Sequence, residues 1–68
     1  MTDKIDEIVD RTIKHTRELL AADAIEWSVA RVGLERIGDG LAAEAPDHPA
    51  LVRLRDFVVE QDRSRRKQ

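Results

Sequence analysis

Few side chains of this 68-residue chain are of the kinds that carry chemistry. His15 and Glu18 stand three residues apart, a spacing that on a helix can present two metal ligands on one face. The di-iron helical bundles use the opposite order, with Glu first and His after it, and both residues here lie at the flank of the helix's apolar stripe. We therefore interpret the pair as part of a solvated face and not as a metal site.

The other candidates for catalysis have no partners at a useful spacing. Either Asp47 or His48 can cap the helix that starts at Pro49, and for His48 capping is a simpler role than catalysis. Ser28 and Ser64 lack a neighbouring His and acid, and the sequence contains no phosphate-binding glycine motif. The chain has no cysteine, which excludes disulfides and thiolate ligands. We predict a protein that is not an enzyme, with no catalytic residues, no metal and no cofactor.

Charged residues are abundant, nearly balanced in number and unevenly distributed. Residues 63–68 carry four basic side chains, whereas the rest of the chain carries eight basic and fourteen acidic ones. A dedicated nucleic-acid binder has a one-sided basic surface, and a single Trp and a single Phe offer few platforms on which bases could stack. Nucleic acid is therefore only the alternative partner. Its predicted contacts are Arg55, Arg63, Arg65, Arg66 and Lys67.

The apolar residues are too interspersed with charged ones to form a membrane span or a signal peptide. We expect a cytoplasmic protein with no membrane partner. A chain this short forms one domain and buries only about 60% of its unfolded surface, so its stability alone is marginal. We assign residues 1–63 to a single helical domain and residues 64–68 to a basic C-terminal tail.

Apolar residues recur at helical spacing along the whole chain, which predicts an all-α protein. A first helix begins after a cap at Thr2 or Asp3. The stretch "APDHPAL" interrupts the pattern, because Pro46 cannot continue a helix. A last helix follows over residues 49–63, with Pro49 in its first turn. It is predicted to bury Leu51, Leu54, Phe57 and Val58, with Val52 and Val59 to one side.

The segment "LLAADAIEW" (residues 19–27) decides the architecture. Asp23 and Glu26 have the spacing of a capping box, which favours the start of a new helix. The segment has no Gly, Pro or Asn, however, and an apolar series passes through it in phase at every seventh residue. That series is Ile13, Leu20, Trp27, Leu34 and Leu41. We favour one long helix over residues 3–43 in a helical hairpin, and we keep a break near 22–24, which gives a three-helix bundle, as the alternative.

Either architecture leaves apolar surface that one chain does not cover. A helix of about 40 residues spans roughly 60 Å, far beyond the reach of the last helix, so residues 5–20 would stay exposed in a single long-helix chain. In both architectures Val29 and Val32 lie opposite the main stripe, and Gly33 and Gly40 leave room for another helix. These features predict self-association.

The leading functional hypothesis is a non-catalytic module for protein–protein contact, acting as a regulator, an inhibitor or an assembly subunit. We expect it to bind itself, as a homodimer or higher oligomer with coiled-coil packing, and to bind another protein. The predicted interface consists of Ile13, Leu20, Trp27, Leu34, Leu41, Val52 and Val59.

The segment "IGDGLAAEAPDHPALVRLRDFVVE" (residues 37–60) resembles the C-terminal half of HEPN-superfamily domains, the helical proteins of bacterial toxin–antitoxin modules. In that family an "IGEAL"-like helix is followed by a proline-containing loop, an Arg, a short spacer and a His. Arg55 matches the arginine, and Glu60 stands in the place of the histidine. The resemblance covers about a third of the chain. It implies a dimeric helical fold that contacts RNA or nucleotide, without the family's RNA cleavage, and this is the alternative function.

Overall fold

The computed structural model describes residues 3–66, with side chains through residue 65. In that range the chain forms three helices, α1 (Lys4–Ala21), α2 (Trp27–Glu44) and α3 (Pro49–Arg66). They pack against one another in a bundle of 38 × 19 × 15 Å. The predicted all-α class and the three-helix alternative are confirmed. No helix within this range has an apolar stretch long enough to cross a membrane.

The first helix begins where its capping residue was predicted. Asp3 is the N-cap of α1, and its carboxylate accepts a hydrogen bond from the backbone N–H of Ile5 at 2.8 Å. Asp6 and Glu7 follow in the first turn, where negative charge is stabilised by the positive end of the helix dipole. The start of α1 is therefore set by local acidic residues.

The break after α1 shows that the predicted single helix over residues 3–43 is wrong. The turn covers residues 22–26, and Asp23 within it has a φ of 56°, in the left-handed region. The predicted capping box is also wrong, because the N-cap of α2 is Glu26, whose side chain makes no capping hydrogen bond. Asp23 ends the first helix and does not start the second.

Backbone hydrogen bonds close the end of α1. The N–H of Asp23 donates to the carbonyl of Leu20 at 3.1 Å, and the N–H of Ala24 donates to the carbonyl of Leu19 at 2.9 Å. This is the Schellman pattern, in which the residue after the helix adopts left-handed angles. Glycine is the usual residue there, and aspartate tolerates the conformation at a cost that glycine avoids.

The last helix begins as predicted and ends later than predicted. The Nδ1 atom of His48 accepts the N–H of Ala50 at 3.0 Å, and Pro49 is the first residue of α3. The helix continues through Arg66, past the predicted end at residue 63. Part of the segment assigned to a tail, residues 64–66, therefore belongs to α3.

All three helices contribute to one core. Its buried members are Val9 of α1, Leu34 of α2 and Ala50, Leu54 and Phe57 of α3. Partly buried apolar side chains pack around it, namely Ile5, Ile13, Trp27, Leu41 and Val58. A Cβ built at Gly38 would lie 3.4 Å from a methyl carbon of Leu54, so α2 and α3 approach closely at that point.

Candidate protein-interaction site

Two helix N-termini are joined at one end of the bundle. The Nε2 atom of His48, the cap of α3, lies 2.8 Å from Oδ2 of Asp3, the cap of α1. Because Nδ1 of His48 already accepts the N–H of Ala50, the proton of the neutral ring sits on Nε2 and is donated to Asp3. We call this pair, Asp3 and His48, the N-terminal clasp.

The two clasp residues and Asp6 are also, among residues 3–65, a group of side chains of the types that can bind a metal ion. Possible ligand atoms of Asp3, Asp6 and His48 lie within 4.8 Å of one another. The donor set does not fit a metal, because coordination by Nε2 requires the ring proton on Nδ1, where the N–H of Ala50 already points. A guanidinium nitrogen of Arg53 also lies 2.9 Å from the carboxylate of Asp6. The group is a structural connection between α1 and α3.

The charges at this end of the bundle are stabilised by their partners. The hydrogen bond from His48, followed by that from the backbone N–H of Ile5, holds the pKa of Asp3 below its ordinary value of 3.8. The hydrogen bond to Asp6 raises the pKa of Arg53 above its ordinary value. Arg53 also binds Asp10 at 3.1 Å, so one cation ties α3 to two aspartates of α1.

The lowered pKa of Asp3 predicts a loss of stability in acid. A carboxyl group whose pKa is lower in the folded than in the unfolded chain contributes stability above its unfolded pKa, and that contribution is lost as the pH falls through the folded pKa. The melting temperature should therefore decrease as the pH falls below 3.8, and it should decrease less in Asp3→Asn. Thermal unfolding followed by circular dichroism between about pH 2 and pH 7 measures this difference.

Glu7→Gln is the matched control for this experiment, since Glu7 is an exposed acid of the same helical turn. It removes one carboxylate without removing the clasp, so its acid dependence should resemble that of the wild type. If Asp3→Asn and Glu7→Gln gave the same pH profile, the clasp would contribute no acid-sensitive stability.

The remaining side chains considered for chemistry are on the surface. His15 and Glu18 are both exposed on α1, as expected for a solvated face. Ser28 and Ser64 are exposed as well, on α2 and α3. These four exposed side chains lie on three different helices, which gives no indication of a shared site.

A second polar network joins the start of α2 to the end of α3. The Nε1–H of Trp27 donates to Asp62 at 2.7 Å, and Nη1 of Arg31 lies 3.4 Å from the other oxygen of that carboxylate. The rings of Trp27 and Phe57 meet edge to face at 6.4 Å, and the Arg65 guanidinium lies 5.9 Å from the centroid of the Trp27 ring. Trp27 therefore anchors α2 to α3 inside one chain.

The basic residues predicted as nucleic-acid contacts occupy different surroundings. Arg55 lines the groove between α2 and α3, and Arg63 is exposed. The guanidinium of Arg65 lies over Trp27, so a residue assigned to a free tail packs on the bundle. The side chain of Arg66 and the whole of Lys67 lie outside the described residues.

The predicted interface divides into two groups. The heptad series lies inside its own chain, because the turn folds α1 back on α2 and brings both halves of the apolar stripe into one core. Leu34 is 2% exposed, so a partner cannot contact it while the bundle is closed. Ile13, Leu20, Trp27 and Leu41 are partly buried. In contrast, Val52 and Val59 of α3 are 58% and 48% exposed.

The face of α2 opposite the core is also apolar. Val29 and Val32 are 58% and 51% exposed. A Cβ built at Gly33 or Gly40 would meet no atom within 4 Å, so the backbone is open to a neighbour there. Helical periodicity places Val29, Val32, Gly33 and Gly40 within about 100° of one another around α2, whereas Ile37 lies closer to the core face. We call these four residues the outer strip, and Val29 and Val32 are the two that sequence periodicity places opposite the main stripe.

Comparisons of the chain with protein-family models, curated proteins and solved structures found no match. The resemblance of residues 37–60 to HEPN domains therefore stays a prediction. In the structure this segment comprises the end of α2, the connecting loop and much of α3. Both Arg55 and Glu60, the residues at the motif positions, are exposed.

Proposed function

We propose that the protein is a small, non-catalytic helical module that works by protein–protein contact in the cytoplasm, as a regulator, an inhibitor or an assembly subunit. Its partners include further copies of itself. The observation that carries this proposal is the outer strip of α2, where two exposed valines lie on the same side of the helix as two glycines whose backbone is open.

The outer strip has the composition of a contact surface. Fully burying one valine side chain contributes about 1.5–3 kcal/mol, and Val29 and Val32 are both more than half exposed. Glycine has no side chain to hold a neighbour away, so another helix could approach the backbone closely at Gly33 and Gly40. Contiguous exposed apolar surface on a small domain is typical of protein-binding sites.

The arrangement of the arginines favours a protein over a nucleic acid as the partner. Arg65, one of the predicted nucleic-acid contacts, lies over Trp27, and Arg31 and Arg53 pair with carboxylates of their own chain, whereas Arg55 and Arg63 are exposed. Recognition of a phosphate backbone depends on a basic face whose charges are free to meet phosphates. The outer strip supplies apolar surface for a protein partner instead.

We expect the double variant Val29→Asp, Val32→Asp to weaken reversible self-association by about 100-fold or more. A symmetric dimer would bury four such valines, each already about half buried in the single chain, so their loss removes at least about 3 kcal/mol of apolar contact. Each 1.4 kcal/mol corresponds to about a tenfold change in Kd. Sedimentation equilibrium at tens of micromolar should give a mass above 7.7 kDa for the wild type and the single-chain mass for the variant.

The chain supplies a matched control on α3. Val52→Asp, Val59→Asp makes the same two changes at side chains of similar exposure, on a different face. Val52 and Val59 also belong to the predicted interface, but we expect this variant to associate as the wild type does, because α3 has no glycine at which another helix could approach the backbone. Association that is lost in the α3 variant and kept in the α2 variant would assign the contact to α3, and a wild type that stays at 7.7 kDa would overturn self-association through either face.

A further inference from the structure

The turn between α1 and α2 combines a strained residue with residues that favour a helix. Asp23 adopts a φ of 56°, in the left-handed region that residues with a side chain rarely adopt and that aspartate tolerates at a cost. The turn "ADAIE" (residues 22–26) contains no glycine or proline, and alanine is the residue with the highest helix propensity. The local sequence therefore favours a helix at the place where the bundle needs a turn.

The apolar series also fits both a turn and a straight helix. Leu20 and Trp27 lie on opposite sides of the turn and are seven residues apart, so a continuous helix would keep them on one face. In the closed bundle the members on both sides of the turn, including Ile13 and Leu34, pack in the same core. The same side chains can thus be buried in either arrangement, provided that a partner supplies the missing surface in the straight one.

We propose that two copies of this chain exchange α1, with residues 22–26 straightening so that α1 and α2 form one helix over residues 4–44. Such a helix is roughly 60 Å long. The α1 segment of each copy then packs against α2 and α3 of the other, and relief of the left-handed turn favours the exchange. Short, strained connections between helices are known to invite this kind of domain swapping.

We infer that a second copy of this chain fills the position vacated by α1, because the surface exposed there matches the side chains of α1. The surface that α1 leaves behind presents His48 and Arg53, which bind Asp3, Asp6 and Asp10 in the closed bundle. The spacing of these three aspartates along α1 complements that surface. Another copy of α1 restores every one of these contacts, together with the core position of Val9. The exchange uses the core of the bundle and does not involve the outer strip.

Substitution at Asp23 tests the exchange. Asp23→Ala disfavours the left-handed turn and favours the helix, whereas Asp23→Gly favours the turn and disfavours the helix. Because each dimer contains two such connections, the dimer Kd should be at least about 100-fold lower for Asp23→Ala than for Asp23→Gly. Each variant is refolded at high concentration and measured by size-exclusion chromatography with light scattering, with circular dichroism confirming that both are helical.

A distance measurement on the otherwise native sequence identifies the exchanged form directly. The chain has no cysteine, so spin labels can be placed by Arg11→Cys and Arg36→Cys, at exposed positions of α1 and α2. Mixing with excess unlabelled protein restricts the signal to labels within one chain. The closed bundle places α1 beside α2, with axes roughly 8–10 Å apart, whereas a continuous helix separates the two positions by roughly 38 Å.

The expected result is a long intrachain distance in the dimer fraction, enriched in Asp23→Ala and depleted in Asp23→Gly. A dimer that shows only the short distance, or equal Kd values for the two Asp23 variants, would overturn the exchange. The double variant Val29→Asp, Val32→Asp separates this outcome from the proposed function. If that variant loses all association and no long distance is found in any sample, the outer strip stands as the interface and the exchange does not occur.

Discussion

The Phe57→Ala variant is expected to be largely unfolded at room temperature. Phe57 is 3% exposed in the core of the bundle, with its ring against Trp27 and the Arg17 guanidinium 5.3 Å from its centroid. Truncating such a residue costs about 3–5 kcal/mol. A core in a chain of this size rarely contributes more than about 3–5 kcal/mol of net stability, so the loss is comparable to the whole. Helical circular dichroism and urea unfolding measure it.

Phe57→Leu is the control, because leucine keeps most of the apolar volume and removes the aromatic contacts. It should remain folded and cost less than the alanine variant, since swaps that conserve volume are tolerated best in cores. If Phe57→Ala kept a cooperative transition with a midpoint close to that of the wild type, the core would not depend on the aromatic contacts of this side chain.

Much of the fold could be predicted because helical periodicity is a local property of the sequence. Leu54 and Phe57 were placed on the inner face of the last helix and are buried. Val52 and Val59 were placed to one side and are exposed. A cap at Asp47 or His48 could also be predicted, because a proline at a helix start leaves a signature in the sequence, and the structure has His48 in that role.

The turn at residues 22–26 was harder to predict, for two physical reasons. The Schellman hydrogen bonds that end α1 use backbone atoms alone, and Asp23 carries none of the usual glycine signal for a left-handed residue. The seven-residue apolar series was also compatible with both arrangements, because α1 and α2 face the same core from opposite sides. The helical phase of the apolar residues alone therefore could not distinguish a turn at residues 22–26 from a continuous helix.

The polar contacts between helices were missed because they depend on topology. Trp27 and Asp62 are 35 positions apart, and Asp3 and His48 are 45 apart. The turn at residues 22–26 brings the start of α1 beside the start of α3, whereas the loop at residues 45–48 brings the start of α2 beside the end of α3. A one-helix architecture keeps Asp3 and His48 apart, so the error at the turn also concealed that contact.

The Leu34→Asp variant is expected to unfold the chain instead of producing a folded single-chain bundle. If Leu34 lay at an interface between copies, Leu34→Asp would dissociate them and leave the helices intact, because the carboxylate would be exposed to water in the separated chains. In the structure Leu34 is 2% exposed among Val9, Leu54 and Phe57. An unpaired carboxylate in such surroundings costs several kcal/mol, in addition to the lost burial of leucine, which exceeds the stability of a domain this small.

Val32→Asp is the matched control, because it introduces the same charge two residues earlier on the exposed face of α2. It should retain the helical circular dichroism and cooperative melting of the wild type, while Leu34→Asp shows neither. A Leu34→Asp chain with native helicity and a mass of 7.7 kDa would place Leu34 at an interface between copies and contradict the closed core. The pair of variants therefore separates residues that hold one chain together from those available to a partner.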